Sequence, residues 1–185
     1  PLQHITGTQE FMGLNFQVNP NVLIPRQDTE ILVEEAAKII RGDNSKTHRR
    51  KAWKVLDLCC GSGAIGISLA SFCTNVKAIC SDISRDALAV ARQNAEKLGV
   101  SKKVSFECGN LLMPFNGRFR NRKFDMIVSN PPYIKTGVIS TLQREVREYE
   151  PMSALDGGAD GLDFYRSIAA DAADCLKKEG VLMLE

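Results

Sequence analysis

The sequence has few of the residues that build metal centres or disulfide frameworks. It contains only two histidines, and its six cysteines, at positions 59, 60, 73, 80, 108 and 175, form no Cys-x-x-Cys pair. Histidines and paired cysteines are the usual ligands of zinc, so we expect no metal site. Several cysteines fall in apolar runs, which is typical of small buried residues in a reducing cytosol rather than of disulfides.

Long apolar runs and an excess of charge of one sign are also missing. No run approaches the length of a membrane-spanning helix, and no secretory signal is visible. With 24 Lys and Arg against 22 Asp and Glu, the formal net charge is +2, which gives no strong electrostatic footprint for nucleic acid. These absences favour a cytoplasmic protein that does not bind membranes and whose direct substrate is not a nucleic acid.

What the sequence does contain is an alternation of strand and helix patterns from Trp53 onward. The candidate strands are Val55–Leu58, Val76–Cys80, Val104–Phe106, Met126–Val128 and Val181–Leu184, and the candidate helices are Ala64–Phe72, Ser84–Leu98 and Leu162–Lys178. Strands separated by helices predict a mostly parallel, doubly wound sheet with both faces covered. The predicted fold class is therefore α/β and Rossmann-like.

Two further elements precede this alternation. Residues 10–24 have the pattern of a small β-hairpin, in which Gly13 and Asn15 supply the turn. A helix is predicted to begin near Thr29, with Asp28 or Thr29 as its cap.

The sequence suggests two unequal parts. Residues 1–27 form an N-terminal segment that contains the hairpin, and residues 28–185 form the α/β domain. The sequence begins at Pro1 rather than Met and stops directly after an apolar run. We therefore expect it to be part of a longer protein, with more chain on both sides.

The first junction between strand and helix carries a glycine-rich loop. Gly61, Gly63 and Gly66 form the pattern Gly-x-Gly-x-x-Gly, which lets the backbone bend tightly at the N-terminus of a helix and approach a ligand closely. Asp82 ends the next strand, 19 residues beyond Gly63, where a carboxylate can accept both ribose hydroxyls of an adenosine. The pattern predicts a cofactor that contains a nucleoside.

The glycine pattern alone would also fit a nicotinamide dinucleotide. Asp57 precedes the glycines near the strand end, where it would repel a pyrophosphate but could face a cationic ligand. The tetrapeptide Asn130-Pro-Pro-Tyr133 follows another strand and has no evident role in hydride transfer. An amide, a fixed carbonyl and a ring at a strand end suit a planar NH2 group. Together these features favour S-adenosylmethionine as methyl donor, with an amide or amino nitrogen as acceptor.

The chain resembles the HemK-type protein-(glutamine-N5) methyltransferases of peptide chain release factors over almost its whole length. The matching segments are Pro1–Gly7, Leu23–Glu30, Leu56–Leu58, Gly61–Gly63, Asp82–Ser84, Asn130–Tyr133, Glu150–Pro151, Leu155–Gly158, Gly161–Tyr165 and Leu184–Glu185. The resemblance implies a class I methyltransferase that uses S-adenosylmethionine, forms S-adenosylhomocysteine and acts in translation termination. The implied partner is a release factor, methylated on the glutamine of its Gly-Gly-Gln motif. The family normally carries an N-terminal helical domain, which this sequence does not include.

Motifs and resemblance together give a set of predicted site residues. The predicted cofactor-binding residues are Asp57, Cys59, Cys60, Gly61, Ser62, Gly63, Asp82, Ile83, Asn110, Leu111 and Asn130, with Arg26 and Thr29 as further candidates. The resemblance implies that Asn110 and Leu111 lie beside the adenine. Cys59 and Cys60 stand where the family usually has Gly-Thr, and Cys59 tolerates a positive φ poorly.

The resemblance also implies the substrate side. Asn130, Pro131, Pro132 and Tyr133 are predicted to hold the glutamine. We expect the Asn130 side-chain oxygen to accept one N–H of the substrate amide and the Pro131 carbonyl to accept the other, with Tyr133 packed on the amide, so these three are the predicted catalytic residues. Residues 134–160 are expected to form a charged flap on this side.

Two alternatives stay open on the sequence. One is a methyltransferase acting on adenine N6 or guanine N2 of a nucleic acid, because an exocyclic NH2 group presents the same geometry after base extrusion. The other is a non-catalytic module that binds S-adenosylmethionine and interacts with partners.

Overall fold

The computed structural model describes residues 1–42, 52–115 and 123–185. Its strands are β1 (Thr8–Phe11), β2 (Leu14–Gln17), β3 (Trp53–Leu58), β4 (Val76–Asp82), β5 (Val104–Cys108), β6 (Phe124–Ser129) and β7 (Leu176–Leu184). Its α-helices are α1 (Leu2–Thr6), α2 (Gln27–Arg41), α3 (Ala64–Phe72), α4 (Arg85–Lys97), α5 (Arg144–Tyr149) and α6 (Asp163–Cys175), and short 3-10 helices lie at Met113–Phe115, Thr136–Thr141 and Met152–Ala154.

The main sheet has the strand order β5-β4-β3-β6-β7, and all of its neighbouring strands are parallel. The predicted parallel α/β sheet is therefore confirmed. From the central strand β3 the chain builds outward through β4 and β5 on one side, then returns to build β6 and β7 on the other. The two directions diverge between β3 and β6, and ligands of such sheets bind outside the carboxyl ends of the strands at this point.

Helices cover both faces of the sheet, as the sequence predicts. Val55 of β3 and Val128 of β6 belong to one apolar cluster, which also contains buried residues of α2, α3 and α4. Leu56 and Ile127 face the other way, into a cluster with α6. Because successive side chains of a strand alternate between faces, strands buried on both sides are apolar along their whole length.

Several predicted element limits are confirmed and others are wrong. Helix α3 has the predicted limits, and the Ser84 hydroxyl accepts a hydrogen bond from the Ala87 N–H at 3.1 Å as the cap of α4. The prediction that the last helix continues to Lys178 is wrong, since α6 ends at Cys175 and β7 begins at the next residue. There Leu176 pairs with Phe124 of β6, and pairing with the sheet overrides the local helical pattern.

The start of α2 also differs from its prediction. The helix begins at Gln27 with Arg26 in the N-cap position, and no side chain caps it. Neither Asp28 nor Thr29 is the cap, because both already lie inside the helix. Thr29 is buried, and its hydroxyl accepts a hydrogen bond from another part of the chain.

The N-terminal hairpin consists of the antiparallel pair β1 and β2. Its turn uses Met12 and Gly13, both with positive φ, whereas Asn15, predicted in the turn, pairs with Glu10 inside the ladder. The predicted boundaries of 10–24 are therefore too far along the chain, although the hairpin itself is confirmed. The short helix α1 was not predicted. A division of the chain after residue 27 stays a prediction.

Asn94 of α4 ties the hairpin to the main domain. Its carboxamide oxygen accepts the N–H of Gln17 at 2.6 Å, and its nitrogen donates to the carbonyl oxygens of Gln17 and Ser62 at 3.0 and 2.9 Å. Asn94 is fully buried, so these bonds satisfy a polar group inside the core. The hairpin and the glycine-rich loop are thus held by one side chain.

The third glycine of the loop pattern serves packing between helix α3 and strand β3. The Gly66 N–H donates to Asp57 Oδ2 at 2.8 Å. A Cβ on Gly66 would lie 2.8 Å from Cys80 Sγ and 3.0 Å from Asp57 Oδ2. Only glycine allows this close approach of helix to strand.

This packing predicts the effect of Gly66→Ala. The added methyl group overpacks the helix–sheet contact, so we expect a loss of about 1–3 kcal/mol in the free energy of unfolding. Helix propensity alone predicts the opposite sign, a gain of up to about 1 kcal/mol. Urea denaturation measures the difference.

The matched control is Gly137→Ala. Among the described residues, and apart from Gly137 and its two chain neighbours, no heavy atom lies within 4 Å of a Cβ added there, so we expect a change within about 0.5 kcal/mol. A Gly66→Ala protein as stable as the Gly137→Ala protein would contradict the packing role.

Candidate active site

A cavity of about 560 Å³ opens at the carboxyl ends of β3, β4 and β6. Its lining residues are Asn21, Val22, Leu23, Leu58, Cys59, Gly61, Ser81, Asp82, Ile83, Ser84, Ala87, Gly109, Asn110, Leu111, Asn130, Pro132, Pro151, Ser153, Ala154, Asp156, Gly158, Asp163, Phe164 and Ser167. The volume falls in the range of small-molecule sites, roughly 300–1,000 Å³. The structure thus brings the glycine-rich loop, the end of β4 and the Asn130 segment to one cavity.

Asp82 organises the loop side of the cavity. Its Oδ2 accepts the Gly61 N–H at 2.9 Å, and its Oδ1 accepts the Ser84 N–H at 2.9 Å. Burial raises the pKa of Asp82, and these backbone N–H groups oppose the rise. Each carboxylate oxygen has a further lone pair, so Asp82 can still accept hydroxyl groups of a ligand while it holds the loop.

Cys59 follows β3 and adopts the left-handed region with φ of 54°. The loop therefore keeps a conformation that favours glycine even though a residue with a Cβ stands there. Burial raises the pKa of the Cys59 thiol to about 12, and the charge of Asp82 adds to the rise. The thiol is thus protonated near neutral pH and is not an activated nucleophile.

Six predicted cofactor residues do not line the cavity, and four of them belong to the glycine-rich loop or to the strand before it. Cys60 and Ser62 are buried, and Gly63 is the N-cap of α3 with φ of 81°. These three residues therefore contribute to the conformation of the loop rather than to the cavity wall. Asp57 is fully buried between β3 and α3. It shares the strand face of Val55, which packs into the core, and it does not line the cavity. Its role towards the cofactor stays a prediction.

The far end of the cavity is formed by residues that follow β4 and β5. The cavity is lined here by three residues of the predicted set, Ile83, Asn110 and Leu111. The Ile83 side chain is exposed. Leu111 has a positive φ of 46°. An apolar surface beside an amide is a suitable environment for an adenine ring, whose faces are apolar and whose edge is polar.

Asn130 lies where β6 ends, and its side chain contacts α2. The Asn130 Nδ2 donates to Thr29 Oγ1 at 3.1 Å. Pro132 lines the cavity with Asn130, while Pro131 is buried and Tyr133 is 49% exposed. Thr29 contacts the Asn130 amide and does not line the cavity, so its role as a cofactor ligand stays a prediction.

The segment after Tyr133 is held by backbone hydrogen bonds to residues 155–158. Ile134 donates to the Leu155 carbonyl at 2.9 Å, and the Gly157 N–H donates to the Ile134 carbonyl at 2.8 Å. A Cβ on Gly157 would lie 2.7 Å from Tyr133 Cα and 2.8 Å from the Pro132 carbonyl oxygen. Glycine at this position therefore allows the flap to lie directly on the tetrapeptide.

An ion pair fixes the same flap to the start of α2. Arg26 Nη2 donates to both carboxylate oxygens of Glu150, at 2.7 and 2.8 Å, and the Glu150 side chain is 1% exposed. Arg26 does not line the cavity, and its role as a cofactor ligand stays a prediction. Its partner lies in the flap over residues 134–160.

Sequence reasoning missed several lining residues. Val22 and Leu23 come from the segment after the hairpin, and Phe164 and Ser167 come from the first turns of α6. No local pattern marks these residues, because they reach the cavity only through the packing of the N-terminal segment and α6 around the sheet. Val22, Leu23 and Phe164 add apolar side chains to the cavity wall, and Ser167 adds a hydroxyl.

The described residues contain neither a metal-binding cluster nor a membrane-spanning helix. In residues 1–42, 52–115 and 123–185, no group of three or more His, Cys, Asp or Glu side chains is arranged to hold a metal ion. None of the six cysteines, all of which lie in these ranges, forms a disulfide, and Cys108 is exposed. Within the same ranges, no helix has both the length and the apolar character needed to cross a membrane.

Comparison with known protein families identifies the family of this chain. The family model of the methyltransferase small domain matches residues 33–147, more than half of the chain. The chain belongs to this family.

Curated relatives match the whole chain. The release factor glutamine methyltransferases of Clostridium acetobutylicum and Geobacter sulfurreducens are each 47% identical to it, over 186 and 185 residues. Each alignment covers 100% of this chain, and 62% and 60% of those two proteins. The chain thus spans about 60% of the length of these relatives.

Solved structures share the fold at low sequence identity. The hMettl16 catalytic domain in complex with the MAT2A 3'UTR hairpin 6 aligns with a TM-score of 0.64 at 13% identity, covering 98% of this chain and 73% of that chain. A SAM-dependent methyltransferase from Agrobacterium tumefaciens aligns with a TM-score of 0.63 at 17% identity, covering 96% and 51%. These likenesses establish the fold.

The buried Asp57 carboxylate predicts a pH dependence of stability. Burial raises its pKa from 3.8 to about 7, so the folded protein binds this proton more tightly than the unfolded chain. The contribution to stability is present below the unfolded pKa and is lost as pH rises towards the folded pKa. We expect the wild type to lose stability relative to Asp57→Asn from about pH 4 to pH 7, by on the order of 1 kcal/mol per pH unit.

Denaturant unfolding at several pH values measures this difference. Other buried carboxyls are common to both proteins and cancel in the comparison. Parallel pH dependence of the wild type and Asp57→Asn would contradict the assignment.

The Arg26–Glu150 pair predicts a second stability effect. Arg26→Met keeps much of the side-chain volume but leaves the Glu150 carboxylate buried without its donor, so we expect a loss of about 1–3 kcal/mol near pH 8. The loss should shrink at lower pH, because protonation removes the buried charge. The control Arg144→Met breaks an exposed pair with Glu148 and should cost less than about 1 kcal/mol. Equal losses in the two variants would contradict a bracing role for Arg26.

Proposed function

We propose that this chain is the methyl-transferring part of a protein that methylates the glutamine side-chain amide (N5) of the Gly-Gly-Gln motif in peptide chain release factors, with S-adenosylmethionine as donor. The observation that carries the proposal is that Asn130 and Pro132 line the same cavity as Gly61 and Asp82. One cavity therefore combines a site for an adenosine with a site for a planar NH2 group. The printed names of the full-chain relatives support the same substrate.

The residues of the cavity fit the proposed donor. Asp82 presents a carboxylate suited to two ribose hydroxyls, and Ile83, Asn110 and Leu111 form a partly apolar wall for the base. Ser81 also lines the cavity, and its hydroxyl is buried without a hydrogen-bond partner in the described residues.

In the proposed reaction the donor supplies the reactive methyl group and the protein orients the acceptor. S-adenosylmethionine supplies a methyl group on a sulfonium, which is an intrinsically good leaving group. A carboxamide nitrogen is a poor nucleophile, because its lone pair is delocalised into the carbonyl. The protein's task is therefore to hold the acceptor amide in one orientation and to exclude others.

Asn130 and Pro131 perform this orientation in the proposed mechanism. The Asn130 Oδ1 accepts one N–H of the substrate amide, and the Pro131 carbonyl accepts the other, so the nitrogen's lone pair is directed out of the amide plane. Two acceptors on one NH2 group also increase electron density on the nitrogen. Tyr133 is half exposed and provides a ring surface for the methylenes of the glutamine. The amide proton leaves to water after transfer.

The proposal predicts separate effects for the acceptor and donor residues. Asn130→Ala should lower the rate of methyl transfer by about 100-fold or more, while the affinity for S-adenosylmethionine stays largely unchanged. Asp82→Ala removes charge-assisted hydrogen bonds, so it should weaken donor binding by about 10-fold or more. Calorimetric titration gives the affinities, and transfer of a labelled methyl group gives the rates.

The substrate is tested with the full-length protein, labelled S-adenosylmethionine and three acceptors. We expect label in an intact release factor, and none in a release factor whose Gly-Gly-Gln glutamine is replaced by Ala. Label in a nucleic acid but not in the intact factor would instead indicate a nucleic-acid amino methyltransferase. Wild-type turnover in Asn130→Ala would contradict the mechanism.

A further inference from the structure

The amino ends of the strands carry a second concave surface, the amino-edge groove, with a volume of about 540 Å³. Its charged lining residues are Lys54, Lys77, Lys102, Lys103, Lys177 and Asp125. Among the described residues, the cavity at the carboxyl ends is lined by three carboxylates and by no lysine or arginine. The formal net charge of +2 is therefore the sum of a basic edge and an acidic edge of the sheet.

The topology of the sheet brings these lysines together. Lys54, Lys77 and Lys177 lie near the amino ends of β3, β4 and β7. Lys102 and Lys103 directly precede β5. Because the strands are parallel and follow the order β5-β4-β3-β6-β7, these ends share one edge. Neighbouring strands lie about 4.8 Å apart, so the cations form a row of roughly 20 Å.

Two neighbouring cations of the groove repel each other. Lys54 and Lys77 are Cα partners in the pairing of β3 with β4, and like charges opposite each other destabilise a sheet. Lys54 Nζ lies 5.1 Å from the centre of the Phe124 ring, whereas the Lys77 side chain is exposed. The repulsion costs stability in the free protein, and a bound polyanion would reduce it.

The one carboxylate among these lining residues does not cancel the charge of the groove. Asp125 is 1% exposed, and both of its oxygens accept Lys177 Nζ at 2.9 Å. Lys103 Nζ donates to a carbonyl of α3 at 2.9 Å. Lys77 and Lys102 are exposed, so their ammonium groups are accessible to an anionic ligand.

The groove offers charge without a surface for base stacking. Trp53, the one aromatic group among its described lining residues, is only 4% exposed. Proteins that bind single strands add exposed rings on which bases stack, whereas a duplex of RNA keeps its bases stacked inside and presents phosphates and 2′-hydroxyl groups. Ser101 and Ser105 are exposed beside the lysines, and their hydroxyls can bond the 2′-hydroxyl groups that DNA lacks.

We propose that the amino-edge groove binds the backbone of double-stranded RNA at a surface separate from the cavity. Strand β3 has six residues, and a strand rises about 3.3 Å per residue, so the groove lies roughly 20 Å from the cavity. The contact is independent of base sequence, because phosphates carry no sequence information. The RNA is a partner rather than the methyl acceptor, so the proposal does not depend on methyl transfer to a release factor.

Fluorescence anisotropy of the full-length protein with a labelled RNA duplex of about 16 base pairs tests the groove. We expect a Kd of about 1–100 μM near physiological salt, with a logarithm of affinity that falls linearly with the logarithm of salt concentration. The double variant Lys77→Gln, Lys102→Gln should reduce the slope of this plot by about 2. Its affinity at low salt should fall by about 10-fold or more.

The matched control is the double variant Lys135→Gln, Arg144→Gln. It removes the same charge from exposed positions of the flap, so both the slope and the affinity at low salt should stay close to those of the wild type. Equal losses in the two double variants would overturn the proposal, because overall charge would then explain the binding. Urea denaturation checks that both proteins are folded.

Competition with the wild-type protein locates the RNA without any substitution. Saturating S-adenosylhomocysteine should leave the RNA affinity unchanged, and displacement of the RNA would place it in the cavity and overturn the proposal. Absence of RNA binding would overturn it as well. So would binding at least as tight to a DNA duplex of the same sequence, to the single RNA strand, to polyglutamate or to phosphatidylglycerol vesicles. Absence of methyl transfer to a release factor would remove the proposed function and leave these measurements valid.

Discussion

The parallel pairing of β3 with β6 is the constraint on which the rest of the site depends. Leu58 and Ser129 are paired at the ends of the two strands, and the Ser129 hydroxyl donates to the Leu58 carbonyl at 2.8 Å. Beyond these residues the chain leaves as the glycine-rich loop on one strand and as the tetrapeptide on the other. A shift of register by one residue would reverse the faces of both strands, so the apolar core and the site are fixed by the same pairing.

Buried carboxylates hold the segments that surround this junction. Asp57 binds the first turn of α3, Asp82 binds the loop and the start of α4, and Glu150 binds Arg26 at the start of α2. Burial raises the pKa of each. Only Asp82 of these three lines the cavity, so the others act through the backbone that they hold. The carboxylates that line the cavity are Asp82, Asp156 and Asp163, and they suit the cationic donor that we propose.

The sequence predicts those structural features that depend on residues close together in the chain. The alternation of strands and helices and the limits of α3 depend on neighbouring residues, and both are confirmed. Cavity walls, in contrast, depend on residues far apart in the chain. Arg26 and Glu150 are separated by 124 residues, and no local pattern marks them as partners. The direction of the Asp57 side chain follows from strand alternation, which places it on the face of Val55.

In the function that we propose, one cavity joins an adenosine site at Asp82 to an amide-orienting site at Asn130. A crystal structure of the full-length protein with S-adenosylhomocysteine tests this most directly. We expect the ribose hydroxyls to bind the Asp82 carboxylate and the sulfur to face Asn130. Ligand bound outside this cavity, or bound with its sulfur turned away from Asn130, would contradict it.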